Sequence, residues 1–366
     1  MKKIIIVGRP YSNGGDYLIY DRLYKALQKT YPEAHITMDL KAQEELDVES
    51  LNQYDAIITG GGGAQFSEAH IRTSFLYQHF DELTVPVHYT GTGLYGADGS
   101  DETIYEYRYS DEIIDFFHKV TAHGGQLGTR DWIVDTVLKN NGVTDTIMAG
   151  CPAWYSPELL EQDTLTADKE VHLPVKGVRR IAVSNHGLTK NAKDHDKKLE
   201  QIKELIRYIK GKYRGAEILL TFNDGYETKY SSNYNFTLRD WSTEQGVQCV
   251  ELSGAADKFQ ALDDIDLHIG FRVHTHIYCL SKTIPSILIE EDIRGYGMNE
   301  TLHLPHIAAY LVGSSPEDFR ANPYLLKKLD VLLSQGQERL CYDEVFRIIE
   351  NCYHTGMCEW LNNILK

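Results

Sequence analysis

Short apolar runs alternate with amphipathic helical stretches along most of this chain, and the alternation starts twice. In the first half the apolar runs lie near residues 4–7, 34–40, 56–59, 85–90, 120–122 and 146–148. In the second half they lie near residues 181–183, 218–221, 247–250, 267–269 and 287–289. Short runs separated by helices are typical of βαβ units, in which helices cover a parallel sheet. The sequence therefore predicts an α/β fold with two Rossmann-like domains in tandem.

The chain length agrees with two domains, because 366 residues exceed what one hydrophobic core normally serves. The stretch 156–176 is polar, contains Pro157 and Pro174, and has no sustained hydrophobic period, which is typical of a linker. We therefore predict domains at 1–155 and 177–312. Residues 313–366 are predicted to form closing helices that start near Ser315-Pro316 and pack, in one interpretation, back on the first domain.

The overall charge excludes some classes of partner. Lys and Arg number 37 against 53 for Asp and Glu, a formal net charge of −16, so a broad basic surface for nucleic acid or anionic lipid is not expected. The six cysteines form no CxxC pair and lie mostly in apolar runs, which predicts buried, reduced thiols and a cytoplasmic location. The apolar run at 4–7 is too short for a signal peptide or a membrane span, so we expect no transmembrane segment.

The first candidate site segment is Asn13-Gly14-Gly15-Asp16, directly after the first predicted strand. The two glycines would let backbone N–H groups approach a ligand at the start of the next helix. Asp16 would then face the cleft. Asp is also a common helix cap, so a purely structural role for Asp16 stays open.

Four consecutive glycines, 60–63, follow the predicted strand at 56–59. A single turn does not require four glycines, so either a ligand or another backbone must approach this segment closely. Gly61 and Gly62 are candidate substrate-binding residues. Gly8 begins no GxGxxG pattern and no Lys follows the glycines in Walker spacing, which excludes a dinucleotide fingerprint and a P-loop.

Three arginines and two histidines stand near predicted strand ends or helix starts. The planar fork of Arg130 suits a carboxylate or a phosphate, although Arg130 could also be an ordinary surface residue. Arg272 and His274 lie at the carboxyl end of a strand, where open α/β sheets bind ligands, and Arg294 is expected on the same edge. His274 and His276 would share a face only in extended structure; otherwise His276 packs in a helix. No third metal ligand is evident, so no metal is predicted.

Together these segments resemble the polysaccharide pyruvyl transferase family. The resemblance runs in order through residues 13–16, 60–63, 130–131, 272–274 and 292–294. It implies a GT-B-like arrangement of two domains with the active site between them. It also implies phosphoenolpyruvate as the donor of a pyruvyl group to sugar hydroxyls.

The resemblance assigns roles residue by residue. Arg130 and Arg272 match donor-binding positions, His274 matches the general acid, and Asp16 matches the amino-terminal active-site aspartate. Arg294 stands where many members have Lys. Further candidates for substrate binding are Asn13, Gly14, Gly15, Gly61 and Gly62.

The chain also departs from the family pattern. Cys151 replaces a common Asp, and His276 stands where a small residue is usual. The sequence thus predicts a cytoplasmic, ketal-forming pyruvyl transferase that needs no cofactor. Its acceptor would be a glycan or a precursor, nucleotide- or lipid-linked. The alternatives are a GT-B glycosyltransferase that uses a nucleotide sugar and a non-catalytic saccharide-binding member of the family.

Overall fold

The computed structural model of the chain describes most residues. The described ranges are 1–40, 46–60, 66–94, 98–165, 170–174, 176–188, 194–226, 233–311 and 319–366.

The first domain contains a parallel sheet of six described strands. They are β1 (Lys3–Val7), β2 (His35–Asp39), β3 (Ala56–Gly60), β4 (Val87–Thr92), β5 (Leu127–Thr129) and β6 (Thr146–Met148). Their order across the sheet is β2-β1-β3-β4-β5-β6. Every residue of β3 is buried, as in a parallel sheet covered on both faces.

Helices cover both faces of this sheet. They are α1 (Gly14–Thr30), α2 (Val48–Leu51), α3 (Glu68–Thr73), α4 (Phe75–Gln78), α5 (Asp101–Glu106), α6 (Asp111–Ala122) and α7 (Trp132–Asn140). The predicted strand at 120–122 is wrong, because these residues are the last turn of α6. Ile113, Phe116, Phe117 and Val120 form the buried face of that helix, at helical rather than strand spacing.

The second domain contains a parallel sheet of five described strands. They are β7 (Arg180–Ser184), β8 (Glu217–Phe222), β9 (Gln248–Glu251), β10 (Leu267–Gly270) and β11 (Ser286–Leu288). Their order is β11-β10-β7-β8-β9. The flanking helices are α9 (His195–Lys212), α10 (Asn233–Glu244), α11 (Val273–Ser281) and α12 (Ile293–Thr301). The α/β fold with two parallel sheets is confirmed.

The segments outside the two sheets also contain helices. Within the predicted linker, α8 (Pro157–Gln162) is helical and is capped by the Ser156 side chain. The chain ends in α13 (Leu325–Arg339), α14 (Asp343–Asn351) and α15 (Cys358–Asn362), with a π-helical turn at Cys352–Met357. The predicted helix start at Ser315-Pro316 lies outside the described residues.

The last helix packs on the first domain. Tyr31 Oη donates to the carbonyl of Leu361 at 2.5 Å, and Gln126 Nε2 donates to the carbonyl of Trp360 at 2.9 Å. One apolar core accordingly runs from one face of the first sheet through these helices into the second domain, while a separate core fills the other face. The exact domain boundaries stay a prediction.

All six cysteines are free. Cys151, Cys279 and Cys352 are buried as predicted, but Cys249 and Cys358 are half-buried and Cys341 is exposed. Among the described helices, none combines the length and the apolar character needed to cross a membrane.

Candidate active site between the two domains

The segment 13–16 joins β1 to α1, and Asn13 rather than Asp16 caps the helix. Asn13 Oδ1 accepts a hydrogen bond from the backbone N–H of Gly15 at 2.9 Å. Asp16 lies in the first turn of α1 and lines a cavity. The alternative that Asp16 is the helix cap is therefore wrong, and its carboxyl group is available for another role.

The two glycines of this segment contact the second domain. Gly14 donates its N–H to the carbonyl of Asn223 at 2.8 Å. A Cβ atom on Gly14 would collide with the carbonyl of Leu252, and one on Gly15 would collide with the ring of His274. The glycines are thus needed for the approach of the two domains, and their part in substrate binding stays a prediction.

Arg130 follows β5 and is buried, so the alternative that it is an ordinary surface residue is wrong. Its exposed fraction is 1%. Its Nε and Nη2 atoms donate to Asp131 Oδ2 at 3.1 and 2.9 Å. Asp131 Oδ1 accepts from the N–H of Val134 at 3.0 Å and so caps α7. This pair lies against the second domain, because a Cβ atom on Gly297 of α12 would reach the Asp131 carboxylate.

Arg272 and Arg294 come from the second domain and also have aspartate partners. Arg272 precedes α11 and donates from Nη2 to Asp224 Oδ2 at 2.7 Å. Arg294, in the first turn of α12, holds Asp292 in a fork, with Nε–Oδ1 at 2.9 Å and Nη2–Oδ2 at 2.6 Å. A guanidinium has five N–H donors, so one carboxylate orients it without using them all.

His274 lies in the first turn of α11, within electrostatic range of Arg130, Arg272 and Arg294. It is 8% exposed, and its Nε2 atom has no partner among the described residues. Burial, followed by the charges of Arg130, Arg272 and Arg294, lowers the pKa of His274 to about 3. His274 is therefore neutral in the free protein, with one buried nitrogen unpaired.

The pKa of Asp16 is shifted in the opposite direction. Burial, reinforced by Asp224 and opposed by Arg272 and Arg294, raises the pKa of Asp16 to about 8. At neutral pH the free protein thus keeps a proton on Asp16 and none on His274. Sequence reasoning could not find this, because burial and the Asp224 contact depend on the approach of the two domains.

A cavity of about 810 Å³ opens on the first-domain side of this region. Asp16 lines it from α1, and Arg294 lines it from the second domain. The remaining lining residues are Val7, Gly8, Arg9, Tyr11, Asn13, Tyr20, Leu46, Thr59, His70, Ile71, Thr73, Ser74, Phe75, Leu76, Gln78, His79 and Tyr89. The cavity is large enough for a saccharide unit.

The three remaining candidates, Gly61, Gly62 and His276, are not placed at the cavity by the structure. Gly61 and Gly62 lie outside the described residues, and only Gly60 is seen, at the end of β3. His276 shares helix α11 with His274 and bonds through Nδ1 to Ser286 Oγ at 2.7 Å. The described residues contain no cluster of three or more side chains suited to a metal.

Comparisons with known proteins identify the family and the fold. The family model of the polysaccharide pyruvyl transferases matches residues 13–293. The chain belongs to the polysaccharide pyruvyl transferase family. The matched range contains every candidate residue except Arg294, which follows its end by one position.

Solved structures show the same fold at low sequence identity. The chain is similar to S. aureus MnaA, in a co-structure with UDP, with a TM-score of 0.54, 11% identity, and coverage of 96% of this chain and 92% of that one. It is also similar to a protein of Listeria monocytogenes assigned as a UDP-N-acetylglucosamine 2-epimerase, with a TM-score of 0.52, 14% identity, and coverage of 100% and 95%. These similarities confirm the two-domain, GT-B-like fold. No curated protein sequence matches the chain.

Proposed function

We propose that this protein transfers the pyruvyl group of phosphoenolpyruvate to hydroxyls of a saccharide acceptor and forms a ketal. The observation that carries the proposal is the position of His274 within electrostatic range of Arg130, Arg272 and Arg294. Its Nε2 atom is buried and has no partner among the described residues. Family membership supports a saccharide-modifying transferase. The product would be a pyruvylated glycan or glycan precursor, and the six free thiols favour the cytoplasm.

The donor suits the charge pattern of the site. Phosphoenolpyruvate carries a carboxylate and a phosphate, and guanidinium forks bind both groups well. The ion pairs with Asp131, Asp224 and Asp292 would keep the three forks in place before the donor arrives. The donor would engage the N–H groups that these aspartates leave unused.

His274 acts as the general acid in this proposal. The methylene carbon of the donor must take a proton so that the sugar oxygen can attack the central carbon. His274 lacks this proton in the free protein, because burial and the arginine charges lower its pKa. Donor binding brings several negative charges beside those arginines, which raises the proton affinity of His274. Protonation of the acid is thus coupled to donor binding.

Asp16 accepts a proton from a hydroxyl of the acceptor in this proposal. Two sugar hydroxyls each lose a proton as their oxygens bond to the central carbon, while the carbon–oxygen bond to phosphate breaks. One proton balances the proton taken by the methylene carbon, and the other leaves with the phosphate. Asp16 must be ionised to accept a hydroxyl proton, and its pKa of about 8 implies faster turnover as the pH rises towards that value.

The test is a thermal-shift titration with phosphoenolpyruvate. A ligand that binds the folded state at a hundredfold excess over its Kd adds about 2.7 kcal/mol to the free energy of unfolding, so the melting temperature rises clearly. EDTA should change nothing. Arg272→Lys keeps the charge but loses the fork, and should weaken donor binding. A shift with a nucleotide sugar and none with phosphoenolpyruvate would instead indicate the glycosyltransferase, and binding without turnover would indicate a non-catalytic member.

The matched control is Arg239→Lys. Arg239 donates from Nε and Nη2 to Asp240 Oδ1, as Arg130 does to its neighbouring aspartate, but it lies on the surface outside the site. Its substitution should leave donor binding unchanged. Equal losses in both variants would show that the loss at Arg272 is not specific to the site.

A further inference from the structure

The cavity above Asp16 has an unusual charge for so acidic a protein. Arg9 and Arg294 line it together with two imidazoles, His70 and His79, and Asp16 is the one carboxylate among its described lining residues. His79 is already bonded to Glu82 on the surface. Burial lowers the pKa of His70, and Arg294 is held by Asp292. Among the described lining residues, the two arginines are the side chains that stay charged at every ordinary pH, in a chain whose net charge is −16.

Arg9 and Tyr11 form a defined feature at this cavity. The Arg9 guanidinium carbon lies 4.4 Å from the centroid of the Tyr11 ring, a cation–π geometry. Tyr11 is 51% exposed and has a φ of 42°, in the left-handed region that a tyrosine rarely adopts. Residues held in such conformations cluster at binding sites, and an exposed aromatic ring is a good platform for a sugar.

A second tyrosine, Tyr20, connects Arg9 and Tyr11 to Asp16. The backbone N–H of Arg9 donates to the Tyr20 hydroxyl, and the charge of Asp16 contributes to the raised pKa of Tyr20, so Asp16 lies near the same hydroxyl. Gly8 is required here, because a Cβ atom at that position would collide with the Tyr20 ring. The cation, the aromatic platform and the candidate base thus belong to one cavity.

We propose that this cavity binds the acceptor, and that the acceptor is itself anionic. Its sugar ring would stack on Tyr11, its carboxylate or phosphate would lie at Arg9, and its reacting hydroxyls would face Asp16. The acceptor role rests on the proposed function, whereas the preference for an anionic saccharide rests on the cavity alone.

The experiment compares three probes, N-acetylglucosamine, N-acetylglucosamine 1-phosphate and glucuronic acid, by calorimetry with the wild type, Arg9→Gln and Tyr11→Ala. We expect at least one anionic probe to bind about tenfold tighter than the neutral sugar, which corresponds to one charge-assisted hydrogen bond. The two anionic probes distinguish a phosphate from a carboxylate. Arg9→Gln should remove the preference, and Tyr11→Ala should weaken all three probes.

Two controls distinguish a failure of this inference from a failure of the proposed function. Tyr105→Ala removes a tyrosine that is 56% exposed and does not line the cavity, and it should bind as the wild type does. Phosphoenolpyruvate affinity should be unchanged in every variant. Equal binding of neutral and anionic sugars, or an unchanged preference in Arg9→Gln, would overturn the inference while leaving the proposed function intact. Binding of anionic sugars without binding of phosphoenolpyruvate would overturn the proposed function instead.

A second inference arises from a buried chain of polar groups behind Arg272. The backbone N–H of Arg272 donates to Ser184 Oγ at 3.0 Å, and Ser184 Oγ lies 2.9 Å from His268 Nε2. His268 Nδ1 lies 2.7 Å from Ser286 Oγ, which is also 2.7 Å from His276 Nδ1. Both histidines and both serines are buried, and they join β7, β10, β11 and α11.

The proton positions along this chain follow from counting partners. If Ser184 donates to His268 and Ser286 donates to His276, both hydroxyl protons are used. Only the N–H at His276 Nε2 then lacks a partner within the described part of the chain. In the reverse direction the Ser184 hydroxyl proton and the His276 Nε2 lone pair are both unpaired. Unpaired buried polar groups are unfavourable, so the first direction is preferred. His268 then carries its proton on Nδ1 and His276 on Nε2.

We propose that this chain of hydrogen bonds through Ser184, His268, Ser286 and His276, here named the relay, positions the donor site. It does so by fixing the backbone of Arg272 at the start of α11. It also explains His276, because this side chain ties α11 to β11 through Ser286. The inference holds for any anionic donor. Ser184, Ser286 and the two histidines are positioning residues, since they act through Arg272 and His274.

The tautomers and the donor affinity test the relay. Long-range ¹H–¹⁵N spectra should show neutral His268 protonated on Nδ1 and neutral His276 protonated on Nε2. Ser286→Ala should raise the KM for phosphoenolpyruvate about tenfold with a smaller change in kcat, and Ser286→Thr should restore it. Ser242→Ala, at a buried serine of α10 outside the relay, should leave KM unchanged. The opposite tautomers, or a folded Ser286→Ala protein with wild-type donor affinity, would overturn the proposal.

Discussion

Replacement of His274 by glutamine is expected to lower turnover by roughly 10²- to 10⁴-fold while phosphoenolpyruvate still binds, because glutamine cannot deliver the proton that the methylene carbon needs. The side chain should fit, since glutamine resembles histidine in size and keeps a hydrogen-bonding group near Gly15. Phosphate release measures kcat, and calorimetry measures donor affinity. A large loss of kcat with a small change in Kd identifies the acid.

The control for this substitution is His88→Gln. His88 is also buried, and its Nε2 atom also has no partner among the described residues, but it lies under the C-terminal helix beside Gln126. Its substitution should affect stability and leave kcat unchanged. Wild-type turnover in His274→Gln would mean that another group delivers the proton, and protonated Asp16 would be the first candidate.

Much of the fold could be predicted because the apolar runs were unambiguous. The runs at 56–59 and 181–183 became β3 and β7 almost without shift. The run at 120–122 was wrongly predicted to be a strand. Three residues are too few to show the 3.6-residue period of the buried helical face that begins at Ile113. The helical spacing of Phe116, Phe117 and Val120 was the signal that the interpretation as a strand overlooked.

The candidate site could be predicted only as a set of residue types. Arg272 and His274 follow a strand, as expected, and belong to one cluster with Asp16 and Arg130. Sequence left open that Asp16 caps α1, and did not reveal that Asn13 takes this role. At this same turn Gly14 contacts Asn223 of the second domain. The two residues are more than two hundred positions apart, so the local sequence does not reveal the contact. The aspartate partner of Arg272 was missed for the same reason, since Asp224 lies on another strand end.

Asp16→Asn should lower turnover by about 10²-fold or more and should also stabilise the protein. Asparagine has the shape of the protonated carboxyl group that the fold favours, and Asn13 still caps the helix. The folded-state pKa of about 8 lies above the ordinary value of 3.8, so the unfolded chain releases this proton at lower pH than the folded chain does. Stability from this group is therefore greatest below about pH 4 and falls as the pH rises to 8.

The variant removes that fall, so its advantage in melting temperature should grow between pH 4 and pH 8. Its residual turnover should also lose the rise towards pH 8 that the wild type owes to ionisation of Asp16. Asp135→Asn is the matched control, because Asp135 is 3% exposed but bonded to Lys139 and Thr146. It should destabilise the protein and leave kcat unchanged. If Asp16→Asn instead melts lower and turns over normally, Asp16 serves the structure alone, and the acceptor must lose its proton to a different group.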